Sequence, residues 1–320
     1  MVVIDVERED LKLRAADRAT PPTPTVASGW TPLAGDGLLD RLRITGRPRP
    51  TADPERVARL REIIEHGLGH TSVAAGKTGA RGNANSGGDR TPDPSPAKPL
   101  VVTKDRLTRA LDRDAPLGIH PSGVQTPSTP MACGVLVDAL FRQLVTTGSI
   151  GDPMRDATDA LSLDDRQLDL LTWIDNLSAP ERGALAAEVD RQSIDLVDRW
   201  PKLDPSWLPR TQVTMRVGLA EGSIELSGRV DLAIGRPELA VASVAILEVK
   251  SGARRLEHRM DLHFYALLET LRSPAPPFAV ATYYTRTGEL DVDPVSDELL
   301  ASAARRTLAG IGALRDGRGQ

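Results

Sequence analysis

The chain has 320 residues, of which 40% are hydrophobic and 26% are charged, a composition typical of globular proteins. Its net charge of −4 disfavours a protein that grips nucleic acid over its whole surface, so any such contact is expected in a local groove. Cys133 is the single cysteine, which excludes an intramolecular disulfide, a Cys-rich zinc site and a four-cysteine iron–sulfur cluster.

The sequence carries no signal for membrane insertion or export. No apolar run approaches the roughly 18 residues needed to span a bilayer. The amino terminus, MVVIDVERED, lacks the basic, then apolar, then small-residue order of a signal peptide. We therefore expect a cytoplasmic protein with no membrane partner.

Residues 1–99 are predicted to form a largely disordered N-terminal region. Residues 76–99 are poor in apolar side chains and rich in Gly and Pro, as in a disordered linker. Residues 54–66 predict one short amphipathic helix, with Pro54 in its first turn. The apolar residues that share one face of this helix are Val57, Leu60, Ile63 and Ile64.

Residues 100–320 are predicted to form a single α/β domain. The patterns predict helices over 103–112 (capped by Thr103), 131–147, 164–178, 180–200, 255–272 and 297–314, and strands over 210–219, 223–234, 241–249 and 278–284. Two hairpin-linked strands followed by a strand–helix–strand crossover predict a mixed β-sheet flanked by helices.

Alternation along residues 223–234 separates an apolar face of a strand from a polar face that carries Glu225, Arg229 and Asp231. The apolar residues fall on even positions: Ile224, Leu226, Val230, Leu232 and Ile234. Asp231 therefore lies on the opposite face. It is either a solvated residue of a half-exposed strand or a functional carboxylate.

An acid and a lysine end the next strand. Glu248 and Lys250 close the apolar run that starts at Ala242, and a period of two puts both on one face with Val249 on the other. Buried charges are costly unless they have partners, so the pair is either a structural ion pair or a site. Only six of the 40 basic residues are lysines, so the choice of a compact, tunable ammonium favours a site.

These residue types suit the hydrolysis of a phosphodiester. Such hydrolysis needs a metal to activate water and to neutralise charge on the phosphate. Mg²⁺ takes oxygen ligands, which Asp231, Glu248 and the backbone carbonyl of Val249 would supply. Lys250 would then face the attacking water or the scissile phosphate.

Three stretches, SGRVDLAIG, SVAILEVKSG and HRMDLHFYALLETLR, together resemble the RecB-like branch of the PD-(D/E)XK nuclease superfamily. Gly228 precedes Asp231, Glu248-Val249-Lys250 fills the E-x-K motif, and Gly252 follows. The resemblance spans roughly residues 100–315 and is strongest over 223–272. It implies a restriction-endonuclease-like αβββαβ core and a Mg²⁺- or Mn²⁺-dependent nuclease with Asp231, Glu248 and Lys250 as its catalytic residues.

The chain departs from the family pattern at two positions. The family carries Gln four residues before the tyrosine of its next helix, whereas Asp261 stands four residues before Tyr265. This i, i+4 pair shares a helix face, which implies a role in contacting nucleic acid or in supporting the site. The family's first helix often carries a metal-binding His, and the corresponding position is Asp138, either a metal ligand or a helix-surface acid.

Three arginines follow the E-x-K strand closely: Arg254, Arg255 and Arg259. They predict either a solvated basic turn or phosphate contacts beside the metal.

The resemblance implies a DNase of DNA repair, recombination or defence, acting on DNA and working with a separate helicase or repair complex. Two alternatives remain open. One is an inactive nuclease-fold protein that binds nucleic acid or a partner protein, and the other is an RNase with the same centre.

Overall fold

The computed structural model describes residues 51–75, 98–112, 127–236, 244–273 and 275–317. Most of the linker predicted over 76–99 lies outside these ranges, as do residues 1–50. Among the helices of the described ranges, none is both long and apolar enough to cross a membrane.

Eight helices and six strands make up the described part of the chain. The helices are α1 (Pro54–Ala75), α2 (Lys104–Leu111), α3 (Thr129–Thr147), α4 (Pro153–Leu161), α5 (Leu168–Asp175), α6 (Ala179–Arg199), α7 (Leu256–Arg272) and α8 (Asp297–Arg315). The strands are β1 (Leu100–Val102), β2 (Arg210–Leu219), β3 (Ile224–Ile234), β4 (Ala245–Lys250), β5 (Ala279–Tyr284) and β6 (Glu289–Pro294).

The six strands form one mixed sheet in the order β1-β3-β4-β5-β6, with β2 also paired to β3. Strands β2 and β3 form an antiparallel hairpin, and β4 runs antiparallel to β3. Strands β4 and β5 are parallel, as expected for two strands joined by helix α7. The predicted fold class, a mixed sheet flanked by helices, is confirmed.

Helices cover both faces of the sheet. The first hydrophobic cluster joins one face to α1, α2, α7 and α8, and the second joins the other face to α3–α6. Leu60 and Ile64 of α1 lie in the first cluster, so this helix packs with the elements that follow residue 100.

Helix α1 continues to Ala75 rather than ending near residue 66. Gly67 lies inside the helix, and Leu308 of α8 occupies the space that a side chain at this position would need. The close approach of two helices therefore accounts for a glycine that, in the sequence alone, reads as a helix breaker.

The sequence patterns do not predict three of the elements, and they predict one helix that is too long. Strand β1 has only three residues, too few to show a period. Strand β6 (ELDVDP) does alternate, but it offers only two apolar residues, Leu290 and Val292, among its acids. Helix α4 begins with an Asp152 cap followed by Pro153, a signal that the sequence does contain. The helix predicted over 164–178 is a 3₁₀ turn followed by the shorter α5.

Strand β3 changes faces near Asp231. Val230 packs in the first cluster, whereas Leu232 and Ile234 pack in the second. The prediction that all even-numbered apolar residues share one face is therefore wrong at Leu232 and Ile234.

The change of face coincides with a break in the β2–β3 ladder. Gln212, which has a φ of 54°, stands opposite Asp231, and these two residues drop out of the register while their neighbours pair. A left-handed residue in a strand distorts the pleat and re-aims side chains locally. The distortion thus falls at the one acid of the strand that the sequence singled out.

Gly228 of β3 packs directly against helix α7. A Cβ at Gly228 would lie 2.5 Å from Cε1 of Tyr265, and this ring is only 1% exposed. We expect Gly228→Ala to lower the free energy of unfolding by roughly 1–3 kcal/mol, because a buried ring cannot move aside freely. Chemical denaturation followed by circular dichroism measures the change.

Gly218→Ala in the same hairpin is the matched control. Nothing lies within 4 Å of a Cβ at Gly218, so we expect a change of no more than about 0.5 kcal/mol. Equal effects of the two substitutions would contradict the assignment of Gly228 to the packing of Tyr265.

Candidate functional site

A gap in the sheet creates the candidate site. One edge of β3 pairs with β1 at Ile224–Leu226 and with β4 at Leu232–Ile234. Within the described chain, residues 227–231 between these ladders have no strand partner on that edge. Side chains can therefore enter the sheet plane here from both helical layers.

Two hydrogen bonds replace the missing ladder. The hydroxyl of Tyr265 donates to the carbonyl of Arg229 at 3.0 Å. Oδ2 of Asp231 accepts the backbone N–H of Val249 at 2.8 Å. The carboxylate of Asp231 thus holds the end of β4 beside β3 after the regular pairing has stopped, and Nε2 of Gln212 lies 3.4 Å from its other oxygen.

Glu248 and Lys250 lie together at the end of β4, as predicted. Nζ of Lys250 donates to Oε2 of Glu248 at 3.0 Å. Glu248 is buried, with 2% of its surface exposed. Its other oxygen, Oε1, has no hydrogen-bond donor within the described ranges, and Nζ of Lys104 lies 3.5 Å away from it.

The pKa values of Asp231 and Glu248 are shifted in opposite directions. Burial raises the pKa of Asp231 well above its usual range, and the negative charges of Glu248 and Asp138 raise it further. Burial acts in the same sense on Glu248, but the ammonium groups of Lys250 and Lys104 outweigh it and lower the pKa of Glu248. The site therefore contains one firmly ionised acid beside one that resists ionisation.

Asp138 reaches the same place from helix α3, in the opposite helical layer. Its Oδ1 is buried and has no hydrogen-bond donor among the described residues, while Oδ2 lies 3.3 Å from Nε of Arg142. Burial raises the pKa of Asp138, and the charge of Glu248 adds to the rise. Asp138 thus lines the same cavity as Asp231 and Glu248.

The donor set fits a hard divalent cation. In the described residues no group of three or more His, Cys, Asp or Glu is arranged to hold a metal ion. Glu248 nevertheless raises the pKa of both Asp231 and Asp138, and Asp138 and Glu248 each carry a buried oxygen without a hydrogen bond among the described residues. Carboxylate oxygens are the ligands that Mg²⁺ and Mn²⁺ prefer, and a cation would relieve their repulsion.

The backbone of Val249 has the orientation that a ligand role would need. The carbonyl of Lys250 accepts from Thr285 on the β5 side, and successive strand residues direct their backbone groups to opposite edges. The carbonyl of Val249 is therefore expected on the Asp231 side, next to the N–H that Asp231 accepts.

Lys104 is the site residue that the sequence did not reveal. It is the first residue of α2, and its Nζ lies 3.5 Å from Oε1 of Glu248 and 3.4 Å from Oδ2 of Asp261. The rarity of lysine that drew attention to Lys250 applies equally to Lys104, so the same signal was available. What the sequence lacks is any hint that residues 104 and 248 meet.

The predicted pair on α7, Asp261 and Tyr265, makes contacts inside the site. Tyr265 is buried and its hydroxyl binds the backbone of β3, a position that favours support of the strand over direct contact with nucleic acid. Asp261 is mostly buried and forms an ion pair with Lys104.

The three arginines that follow β4 differ in their surroundings. Arg254 forms an ion pair with Asp291 at 2.7 Å, and Arg259 forms one with Asp293 at 2.7 Å. Both acids belong to β6, which draws these guanidinium groups towards the sheet edge. Arg255 has no ion-pair partner among the described residues and lines the cavity over the site.

A cavity of about 820 Å³ opens over the carboxyl groups. Its lining combines the acids of the site with a basic set: Lys104, Arg166, Arg216, Arg229, Lys250 and Arg255. Such a lining suits an anionic substrate whose charge is held by the basic groups, with its reacting centre above the acids.

Comparisons with known proteins add little to this geometry. No family model matches the chain, and no curated protein matches it. Among solved structures, the crystal structure of SSO0001 is similar at 14% identity over 54% of this chain and 71% of that chain, with a TM-score of 0.23. A similarity at this level carries no argument about function.

Replacing Asp231 is expected to stabilise the fold. Because the pKa of Asp231 is raised in the folded state, folding is penalised once the pH exceeds the usual Asp pKa of about 3.9. Asp231→Asn keeps an acceptor for Val249 and removes the charge. We expect thermal unfolding at neutral pH to show a gain of about 0.5–2 kcal/mol.

The gain should shrink as the pH falls below the usual Asp pKa, because both states of the wild type are then protonated. Asp198→Asn, on the exposed surface of α6, serves as the control and should lack this pH dependence. A loss of stability in Asp231→Asn at neutral pH would contradict the electrostatic picture.

Proposed function

We propose that this protein is a metal-dependent nuclease that hydrolyses phosphodiester bonds in DNA. The observation that carries the proposal is the meeting of Asp231, Glu248 and Lys250 at one gap in the sheet, with Asp138 arriving from the opposite layer. Catalytic groups with pKa values pushed apart, at the base of a cavity, are typical of an active site.

Asp138, Asp231, Glu248 and the carbonyl of Val249 would hold Mg²⁺ or Mn²⁺. When bound, the ion supplies an activated water at neutral pH and positive charge for the phosphate. The protein's own part is to keep the acids close together despite their repulsion. The Val249 N–H and the ammonium of Lys250 do this by holding Asp231 and Glu248 in place.

Lys250 acts as a hydrogen-bond donor to the substrate rather than as a base. Burial lowers the pKa of its ammonium, but the charges of Glu248 and Asp231 outweigh burial and raise it above the usual range. The group therefore stays protonated at neutral pH. An ammonium fixed beside the scissile phosphate stabilises charge that develops on the phosphate oxygens.

The cavity favours a polyanion as substrate, because basic side chains surround the acids. A cytoplasmic location, a role in repair, recombination or defence, and cooperation with a separate helicase or repair complex belong to the same proposal. Only the family resemblance supports the role and the partner.

Lys250→Met is expected to lower DNA cleavage by about 100-fold or more, because a preorganised donor to the phosphate is lost. Linear and circular DNA are incubated with Mn²⁺ or with EDTA, and circular dichroism verifies folding. Lys202→Met removes a lysine from outside the cavity over the site and should cleave like the wild type.

Other outcomes distinguish the alternatives. Cleavage of RNA in preference to DNA in parallel reactions would identify an RNase with the same centre. DNA binding without cleavage, across metals and substrates, would identify an inactive nuclease-fold protein. Cleavage that survives in a folded Lys250→Met variant would exclude this site as its source.

Arg254 and Arg255 are neighbours, but only Arg255 lines the cavity over the site. Comparing them tests whether DNA runs along this cavity. Arg255→Ala should weaken DNA binding and reduce the slope of log affinity against log salt by about 1, as for the loss of one phosphate contact. Arg254→Ala should leave both unchanged, because Arg254 is paired with Asp291. Fluorescence anisotropy at several salt concentrations measures both, and the reverse ranking would contradict this path.

A further inference from the structure

We propose that the ammonium group of Lys104 takes the place of a second divalent cation between Glu248 and Asp261, so that the centre binds one metal ion per chain. Nζ of Lys104 lies 3.5 Å from Oε1 of Glu248 and 3.4 Å from Oδ2 of Asp261. The inference rests on the proposed function, since it specifies how the same centre is loaded.

The position of Lys104 is fixed by its local sequence. Strand β1 ends at Val102, and Thr103 caps helix α2 by accepting the N–H of Arg106. Lys104 is therefore the first helical residue, directly after a strand that pairs with β3. Leu107, one turn further, packs where Gly310 leaves room on α8, which locks the helix in place.

The surroundings of the ammonium are those of a cation site. Its side chain is 18% exposed, against 3% for Glu248 and 15% for Asp261. The ring of Tyr265 lies 5.4 Å from Nζ and offers its face to the charge. A buried cation is tolerated only when opposite charges surround it, and here two carboxylates and an aromatic ring do so.

The two oxygens of Glu248 face different cations. Oε2 accepts from Lys250, whereas Oε1 faces Lys104 on the α2–α7 side of the sheet. Asp138 reaches the site from the other layer. In two-metal sites the ions lie about 3.5–4 Å apart, near enough to share ligands. The second such position, between Glu248 and Asp261, is filled here by an amine of the chain itself.

Lys104→Met keeps the aliphatic stem and removes the charge, which leaves Glu248 and Asp261 free to bind a second ion. Titration with Mn²⁺ alone, followed by isothermal calorimetry and by electron paramagnetic resonance of free Mn²⁺, should give one ion for the wild type and two for Lys104→Met. The double variant Lys104→Met/Asp261→Asn should return to one.

Lys98→Met changes an exposed lysine just before β1 and should still bind one ion. If Lys104→Met does not fold, Lys104→Gln must give the second ion instead. Two ions in the wild type, or one in a folded Lys104 variant, would overturn this inference while leaving the nuclease proposal intact. No Mn²⁺ binding by either protein would overturn both.

Discussion

The hydrogen bond from the backbone N–H of Val249 to Asp231 is the contact on which the site depends. Strand β4 pairs with β3 only as far as Leu232 and Leu247; beyond that point a side chain takes over the role of the ladder. The same carboxylate thus has a structural role and, in the proposed function, a chemical one. It holds two strands at a fixed separation, and the opening left between β1 and β4 admits groups from both helical layers.

That opening brings buried charges of both signs together. Three acids meet with two lysines, and the balance is uneven: both ammonium groups form ion pairs with Glu248, while Asp231 forms an ion pair with neither and keeps a raised pKa. Sites that store unfavourable electrostatics in this way give up stability for chemistry. Packing elsewhere compensates, with a hydrophobic cluster on each face of the sheet.

The sequence predicted the central elements and the principal residues because those signals are local. Alternation identified β2 and β3, and a charged pair at the end of an apolar run identified Glu248 and Lys250. Contacts between distant segments were out of reach. Lys104 meets Glu248 only because β1, three residues long, adds to β3. The change of face at Leu232 coincides with the left-handed Gln212 in the neighbouring strand, and the residue type of Gln212 does not predict that conformation.

The acids of β6 have an effect beyond the site. This strand is the last in the sheet order, and an outermost strand with free backbone groups invites pairing with another molecule. Asp291 and Asp293 hold Arg254 and Arg259 against this border, surrounding it with bulky, hydrated charges. The two ion pairs that hold Arg254 and Arg259 at β6 therefore also disfavour self-association through added strands.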